Sequence, residues 1–121
     1  MELIRRIKPD FLFEDDRGVL VQLVHDGYRQ VNAVFTKKGA VRGNFHYHKE
    51  TDEAFFIMAG RVEVTAELDG ATETATFCAN EMFLLPRLVR HTFRYLEDTY
   101  LVGMYPVPVE KADGSKDIHT P

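Results

Sequence analysis

Arg61-Val-Glu-Val-Thr-Ala-Glu-Leu-Asp-Gly70 is the stretch from which the fold is read. Val62, Val64, Ala66 and Leu68 alternate with Glu63, Thr65 and Glu67. That period of two gives a strand one buried face and one wet face. Asp69-Gly70 suits a tight hairpin turn, so residues 72–77 are expected to return antiparallel.

Outward from this hairpin the same signs recur. Residues 19–24, 31–36, 44–48, 54–58, 82–85, 91–96 and 100–105 read as further short strands. Turn signals separate them at Asp16-Arg17-Gly18, Asp26-Gly27, Lys37-Lys38-Gly39, Ala59-Gly60 and Asp98-Thr99. No segment sustains the apolar spacing of an amphipathic helix, so the chain is expected to be all-β, a sandwich or barrel. Residues 1–121 form one expected domain, with the barrel at about 17–105. Residues 106–121, with Pro106, Pro108, Gly114 and Pro121, read as a mobile or arm-like tail.

Composition narrows the function. Of 121 residues, 45% are hydrophobic, too many for a disordered chain. Lys and Arg total 15 against 19 Asp and Glu, a net charge of −4, and no basic tract is present; nucleic acid is therefore not an expected partner. The longest apolar runs are too short to span a membrane. The opening segment lacks the apolar stretch of a secretory signal, so a cytoplasmic location is expected. A lone cysteine, Cys78, permits no internal disulfide and is expected to be a buried core thiol.

The chemistry concentrates in Arg42-Gly-Asn-Phe-His-Tyr-His-Lys-Glu-Thr-Asp-Glu53. His46 and His48 are two apart, so on a strand both imidazoles project to one side. Glu53 follows at the start of the next strand, and His91 lies at the start of another. Three imidazoles and a carboxylate suit a divalent transition metal such as Zn, Fe, Mn, Ni or Co, with coordination positions left open. Glu50 and Asp52 compete as the acidic ligand, but their spacing leaves them in the turn. His25 and His119 sit beside turn or tail residues and read as ordinary surface groups. The same period of two places Arg42 and Asn44 on the face of the histidines, where an arginine suits an anionic ligand. Phe55 is placed with Glu53, and Phe93 and Tyr95 with His91, to wall a small-molecule pocket. Phe56 and Met58 are apolar on the opposite face, which suggests a homodimer contact there.

These spacings resemble the cupin superfamily. His46-x-His48, four residues, Glu53, six residues and Gly60 are similar to the first cupin motif. Asn80, five residues, Pro86-x-Leu88, two residues and His91 keep the spacing of the second, with Asn80 and Leu88 in place of glycine and Tyr95 in place of asparagine. The resemblance implies a jelly-roll barrel holding a metal on His46, His48, Glu53 and His91. Asp16-Arg17-Gly18 and Arg42-Gly43-Asn44 further resemble cupins acting on nucleotide-linked deoxysugars: 3,5-epimerases, 3,4-ketoisomerases and the cupin module of capsular-polysaccharide sugar reductases. The stretch from His46 to Phe55 is most similar to the last. The ketoisomerases of this group lack the acidic ligand and need no metal, so Glu53 argues against that subgroup.

The leading expectation is an isomerase or epimerase of a keto-sugar. Its candidate catalytic residues are His46, His48 and Tyr95, with Tyr105 and His25 as further acid–base groups. Its candidate substrate contacts are Arg42, Asn44, Phe55 and Phe93. A non-haem Fe(II) dioxygenase of a small acid or thiol, and a non-catalytic ligand-binding cupin, are the competing expectations.

Overall fold

The computed structural model describes residues 2–121. Eleven strands run in order: β1 (Arg5–Ile7), β2 (Phe11–Asp15), β3 (Gly18–Gln22), β4 (Gln30–Thr36), β5 (Val41–His46), β6 (Glu53–Ala59), β7 (Arg61–Leu68), β8 (Ala71–Cys78), β9 (Met82–Leu85), β10 (Arg90–Tyr95) and β11 (Thr99–Tyr105). No helix occurs among the described residues, and hence none long and apolar enough to cross a membrane. Strands β1-β9-β6-β11-β4 form one antiparallel sheet and β5-β10-β7-β8 another. Strands β2 and β3 form a separate hairpin.

The hairpin β7–β8 follows its sequence. Val62, Val64 and Ala66 are fully buried, and Asp69 and Gly70 both take positive φ (50° and 84°), as a two-residue turn matching strand twist requires. Across from it, Phe55 and Phe83 of the five-stranded sheet meet Phe77 and Phe93 of the other. The ring centroids lie 4.1 Å (Phe77–Phe83), 5.2 Å (Phe55–Phe83) and 5.0 Å (Phe55–Phe93) apart. This aromatic column is the core joining the sheets; each buried ring contributes about 1.5–3 kcal/mol.

Several expectations are corrected. Strands β1 and β2 were not expected, because three residues of β1 carry little pattern and β2 is apolar on both faces. Cys78 is exposed rather than buried: Phe77 points into the core, and alternation turns the next side chain outward. Phe56 is buried by its own chain, in a cluster with Ala54, Met82 and Met104 overlaid by Val21, Leu23, Val24 and Tyr28, while Met58 stays exposed. The tail is a docked segment, not a free arm. Val109 and Asp117 are buried, Asp117 N–H donates to Val109 O (2.9 Å), and Tyr47 and His119 exchange backbone bonds of 2.9 and 3.0 Å.

Of the three departures from the cupin motif, the two at glycine positions fall where the backbone is left-handed: Asn80 has φ 71° and Leu88 has φ 75°. Asparagine tolerates this region, but a leucine there is strained by about 1–2 kcal/mol. Leu88 is also half-exposed and loses little packing on removal. Leu88→Gly is therefore expected to raise stability by up to about 1 kcal/mol, after glycine's own entropy cost, as a higher urea midpoint at unchanged slope.

Candidate metal centre and pocket

The end of β5, the start of β6 and the start of β10 converge on one point. His46 pairs with His91 across β5 and β10, and Glu53 opens β6 opposite Leu85. His48 lies just beyond β5. One ligand atom from each of His46, His48, Glu53 and His91 falls within 4.8 Å of all the others. Glu53 Oε1 is 2.8 Å from His48 Nε2 and 3.1 Å from His91 Nε2, and the Nε2 atoms of His91 and His46 are 3.1 Å apart. Donors about 2.0–2.2 Å from a shared ion stand roughly 2.9–3.4 Å from one another, so the tetrad has the spacing of a coordination sphere.

The outer nitrogens fix the rings. His48 Nδ1 lies 2.5 Å from Asp117 O, and His91 Nδ1 lies 3.2 Å from Val89 O. A carbonyl only accepts, so each Nδ1 carries a hydrogen, and each ring turns its other nitrogen, Nε2, toward Glu53. His48 Nε2 is within ion-pair reach of Glu53 but out of alignment for a hydrogen bond. It is the one buried side-chain polar atom among the described residues with no hydrogen-bond partner. The Nε2 atoms and the carboxylate face one point, and with the rings neutral this donor set fits a divalent metal.

The charges reflect the same geometry. Burial raises the Glu53 pKa, but the His48 and His91 contacts outweigh it and hold the carboxyl at about 2, against a usual 4.5. Burial lowers the His46 pKa, helped by His91. At His48 burial also opposes charge, yet the contact with Glu53 raises the pKa overall.

Beside the tetrad lies a cavity of about 140 Å³ whose walls include Arg42, His46, Glu53, Phe55, His91, Phe93, Tyr95, Leu101 and Tyr105. Arg42, Phe55, Phe93 and Tyr95 thus stand where the sequence places them. Two candidates do not. Asn44 is solvent-exposed and off the cavity wall, because the strict alternation fails: Gly43, Asn44 and Phe45 all take positive φ (104°, 44° and 59°), forming a bulge. Arg42 pairs with Phe93 while His46 pairs with His91, so the bulge absorbs extra residues and returns the chain to the same face. A Cβ on Gly43 would lie 2.9 Å from His91 O, so the bulge needs glycine. His48 forms the buried back of the tetrad and is off the cavity wall, suited to holding an ion and not to touching substrate.

Glu50 is exposed beside Lys111, and Asp52 accepts from Arg87 N–H, which leaves Glu53 as the acidic member. His25 is exposed beside Asp10, away from the cavity. Tyr105 was only a secondary candidate, yet its buried hydroxyl stands beside Glu53; burial and that carboxylate push its pKa up. Burial also raises Tyr95, whose hydroxyl lies near Thr36. Arg42 Nε donates to the same threonine's Oγ1 at 2.8 Å. Asp117, which orients His48, was missed altogether; no sequence signal joins positions 48 and 117.

The family described as "Polysaccharide biosynthesis C-terminal domain" matches residues 13–96, more than two thirds of the chain. The chain belongs to the polysaccharide biosynthesis C-terminal domain family. No curated protein matches this member of the family in sequence. Among solved structures, the fold of this polysaccharide biosynthesis domain is similar to the 3,4-ketoisomerase of Thermoanaerobacterium thermosaccharolyticum in complex with TDP-4-keto-6-deoxyglucose. The TM-score is 0.81 at 15% identity, over 100% of this chain and 89% of that one. It is also similar to a dTDP-4-dehydrorhamnose 3,5-epimerase from Sulfolobus tokodaii, with TM-score 0.71 and 27% identity over 84% of this chain and 69% of that one. A 3'-monoepimerase from Streptomyces bikiniensis in complex with dTDP-quinovose matches with TM-score 0.77 and 20% identity, over 98% and 69%. The fold is thus the expected all-β cupin jelly roll.

The Glu53 carboxyl titrates lower in the folded chain than in the unfolded one. Its contribution to stability is therefore complete above about pH 4.5 and is lost as pH falls toward 2. In chelator-treated protein, the stability difference between wild type and Glu53→Gln is expected to shrink across that window, read from urea midpoints at stepped pH.

Proposed function

We propose that this domain is an isomerase or epimerase of a keto-sugar carried on a nucleoside diphosphate, with a divalent transition metal held by His46, His48, Glu53 and His91. The observation that carries the reading is the opening of one small cavity onto a polar tetrad, a buried tyrosine and an arginine. At about 140 Å³ the cavity is smaller than the few hundred Å³ of a site that encloses a whole drug-sized ligand, so it suits one ring of a longer molecule. Arg42 stands on the cavity wall to meet an anionic remainder such as a diphosphate. The structural relatives are a 3,4-ketoisomerase and epimerases, and the family description concerns polysaccharide biosynthesis; a cytoplasmic setting is part of this proposal.

The reaction moves a proton from the carbon beside a carbonyl and returns it to another face or carbon. A metal on the tetrad would supply electrophilic stabilisation of the enolate oxygen. Phe55, Phe93 and Leu101 exclude water from the ring. Tyr105, its pKa raised, stays protonated at neutral pH and is placed to donate. Tyr95 is held against Thr36 and Arg42, which assigns it to shaping the anion side of the cavity rather than to proton transfer.

Metal analysis after growth with added Zn, Fe, Mn and Ni is expected to find roughly one ion per chain. His48→Ala should lose it. Incubation in deuterium oxide with TDP-4-keto-6-deoxyglucose is expected to place deuterium beside the carbonyl. Absence of exchange, together with oxygen uptake by iron-loaded protein, would shift the assignment to a dioxygenase. Arg42→Ala should weaken calorimetric binding of the nucleotide sugar by about 1–3 kcal/mol, and equal affinity would remove Arg42 from the site.

We also infer a homodimer. The hairpin β2–β3 exposes Phe11, Leu12, Phe13, Val19 and Leu20, each roughly half or more accessible, and an isolated two-stranded ribbon is marginal in water. Phe35, Met58 and Tyr100 add exposed apolar surface on the five-stranded sheet. The chain's accessible surface is 7367 Å², against about 6,700 Å² for a compact monomer of 13.9 kDa. The isolated chain thus exposes more surface than a compact monomer of its mass, in keeping with an uncovered contact face. Light scattering at micromolar concentration is expected to give twice the chain mass. Leu20→Asp should lower it toward one chain, whereas a wild-type monomer overturns the inference.

A further inference from the structure

Strand pairing does not hold His48. β5 ends at His46; beyond it, among the described residues, the backbone is held by the bridge between Tyr47 and His119 and by Leu88 N–H donating to His48 O at 2.7 Å, neither of which touches the imidazole. In the loop that follows, the backbone N–H groups of Lys49 and Glu50 bond to Asp117 rather than to a strand. Asp117 supplies what the loop lacks. Its carboxylate is almost fully buried, with Oδ1 accepting from Lys49 N–H (2.9 Å) and Oδ2 from Glu50 N–H (2.8 Å). Its backbone carbonyl takes the His48 Nδ1 hydrogen. Its own N–H is anchored on Val109 O, and His119 Nε2 lies 2.9 Å from Oδ1. One residue of the docked tail therefore binds the loop on both sides of the imidazole: the ring through the carbonyl, and the following backbone through the carboxylate.

We propose that Asp117 is a positioning residue for His48, and that the C-terminal segment is a clasp that completes the polar tetrad. The segment from Val107 to His119 is tied down by Gln30, Thr51 and Tyr47, so the Asp117 carbonyl arrives at His48 from a fixed frame. The carbonyl selects the tautomer with hydrogen on Nδ1. The carboxylate sets the loop and thereby the ring's tilt, which aims Nε2 at Glu53. Without the clasp, His48 would sample both tautomers and several rotamers, and the tetrad would fall to three members. The effect on metal binding rests on the metal reading above; the effect on the imidazole does not.

The test compares wild type, Asp117→Ala, Asp117→Asn and, as a control on the exposed part of the tail, Lys116→Ala. Zinc affinity is measured by competition with a chromophoric chelator, and the ligand field is read from the Co(II) spectrum. Long-range proton–nitrogen NMR of the chelated protein reports the His48 tautomer. Asp117→Ala is expected to bind zinc ten- to a hundredfold more weakly, the usual effect of losing a group that orients a ligand, with an altered cobalt spectrum. Asp117→Asn, which keeps one acceptor oxygen, should recover part of the affinity, and Lys116→Ala should match wild type. The His48 nitrogens should show a single Nδ1-protonated form in wild type and averaged values in Asp117→Ala, where the carbonyl remains but the loop freed from the carboxylate no longer holds the ring against it. Unchanged affinity and unchanged nitrogen shifts in Asp117→Ala overturn the proposal. If Asp117→Ala does not fold, Asp117→Asn decides by the same two readouts. Wild type that binds neither zinc nor cobalt refutes the metal reading alone; the nitrogen shifts then decide whether Asp117 positions His48.

Discussion

A carboxylate sealed among three imidazoles is the constraint around which the rest of this structure is arranged. Glu53 is 3% exposed, so its charge has almost no water to solvate it. Burying a charge without a partner costs several kcal/mol, which is why its neighbours are so closely specified. His48 and His91 stand against the same carboxylate oxygen, and carbonyls on their far sides decide where their hydrogens lie. Each further feature near the site preserves that encounter. The bulge at Gly43 brings Arg42 and His46 to one face, and the docked tail holds the loop that carries His48.

The remaining architecture supplies rigidity. The aromatic column of Phe55, Phe77, Phe83 and Phe93 joins the sheets directly beneath the cavity, and two of its rings are also cavity wall. Stability and site shape are therefore not separable at Phe55 and Phe93: shrinking either ring would open a void and loosen the pocket together. The polar groups enter only at the mouth of the barrel, where strands begin or end. This is where backbone can bend without breaking a ladder.

Much of this was legible in the sequence where a single local rule decides. Alternation from Val62 to Leu68 and the Asp69-Gly70 turn give β7 and β8, and the spacing of His46, His48, Glu53 and His91 foretells that these four side chains meet. What escaped involved two competing rules or a distant partner. Alternation across Arg42, Asn44 and His46 places all three inward, but three consecutive left-handed residues break it. Arg42 reaches the cavity through the bulge, and Asn44 does not. Cys78 looked like a core residue by type, yet the parity set by Phe77 puts it outside. The tail's prolines and glycine read as mobility, because the bonds that order it run to residues some seventy positions earlier in the chain.

The strand order also bears on how fast the fold forms and comes apart. β1, near the start of the chain, pairs with β9, and β4 pairs with β11, so the five-stranded sheet cannot close before most of the chain has collapsed. Such non-local pairing makes folding slow, in the range of milliseconds to seconds for sheet proteins of this size. The tetrad draws on β5, β6, β10 and the tail, so it assembles only after both sheets have met. Contacts absent from the folding transition state act on the unfolding rate alone. A cation seated there would leave the folding rate unchanged and lengthen the lifetime of the folded chain, acting as a latch on a barrel that has already shut.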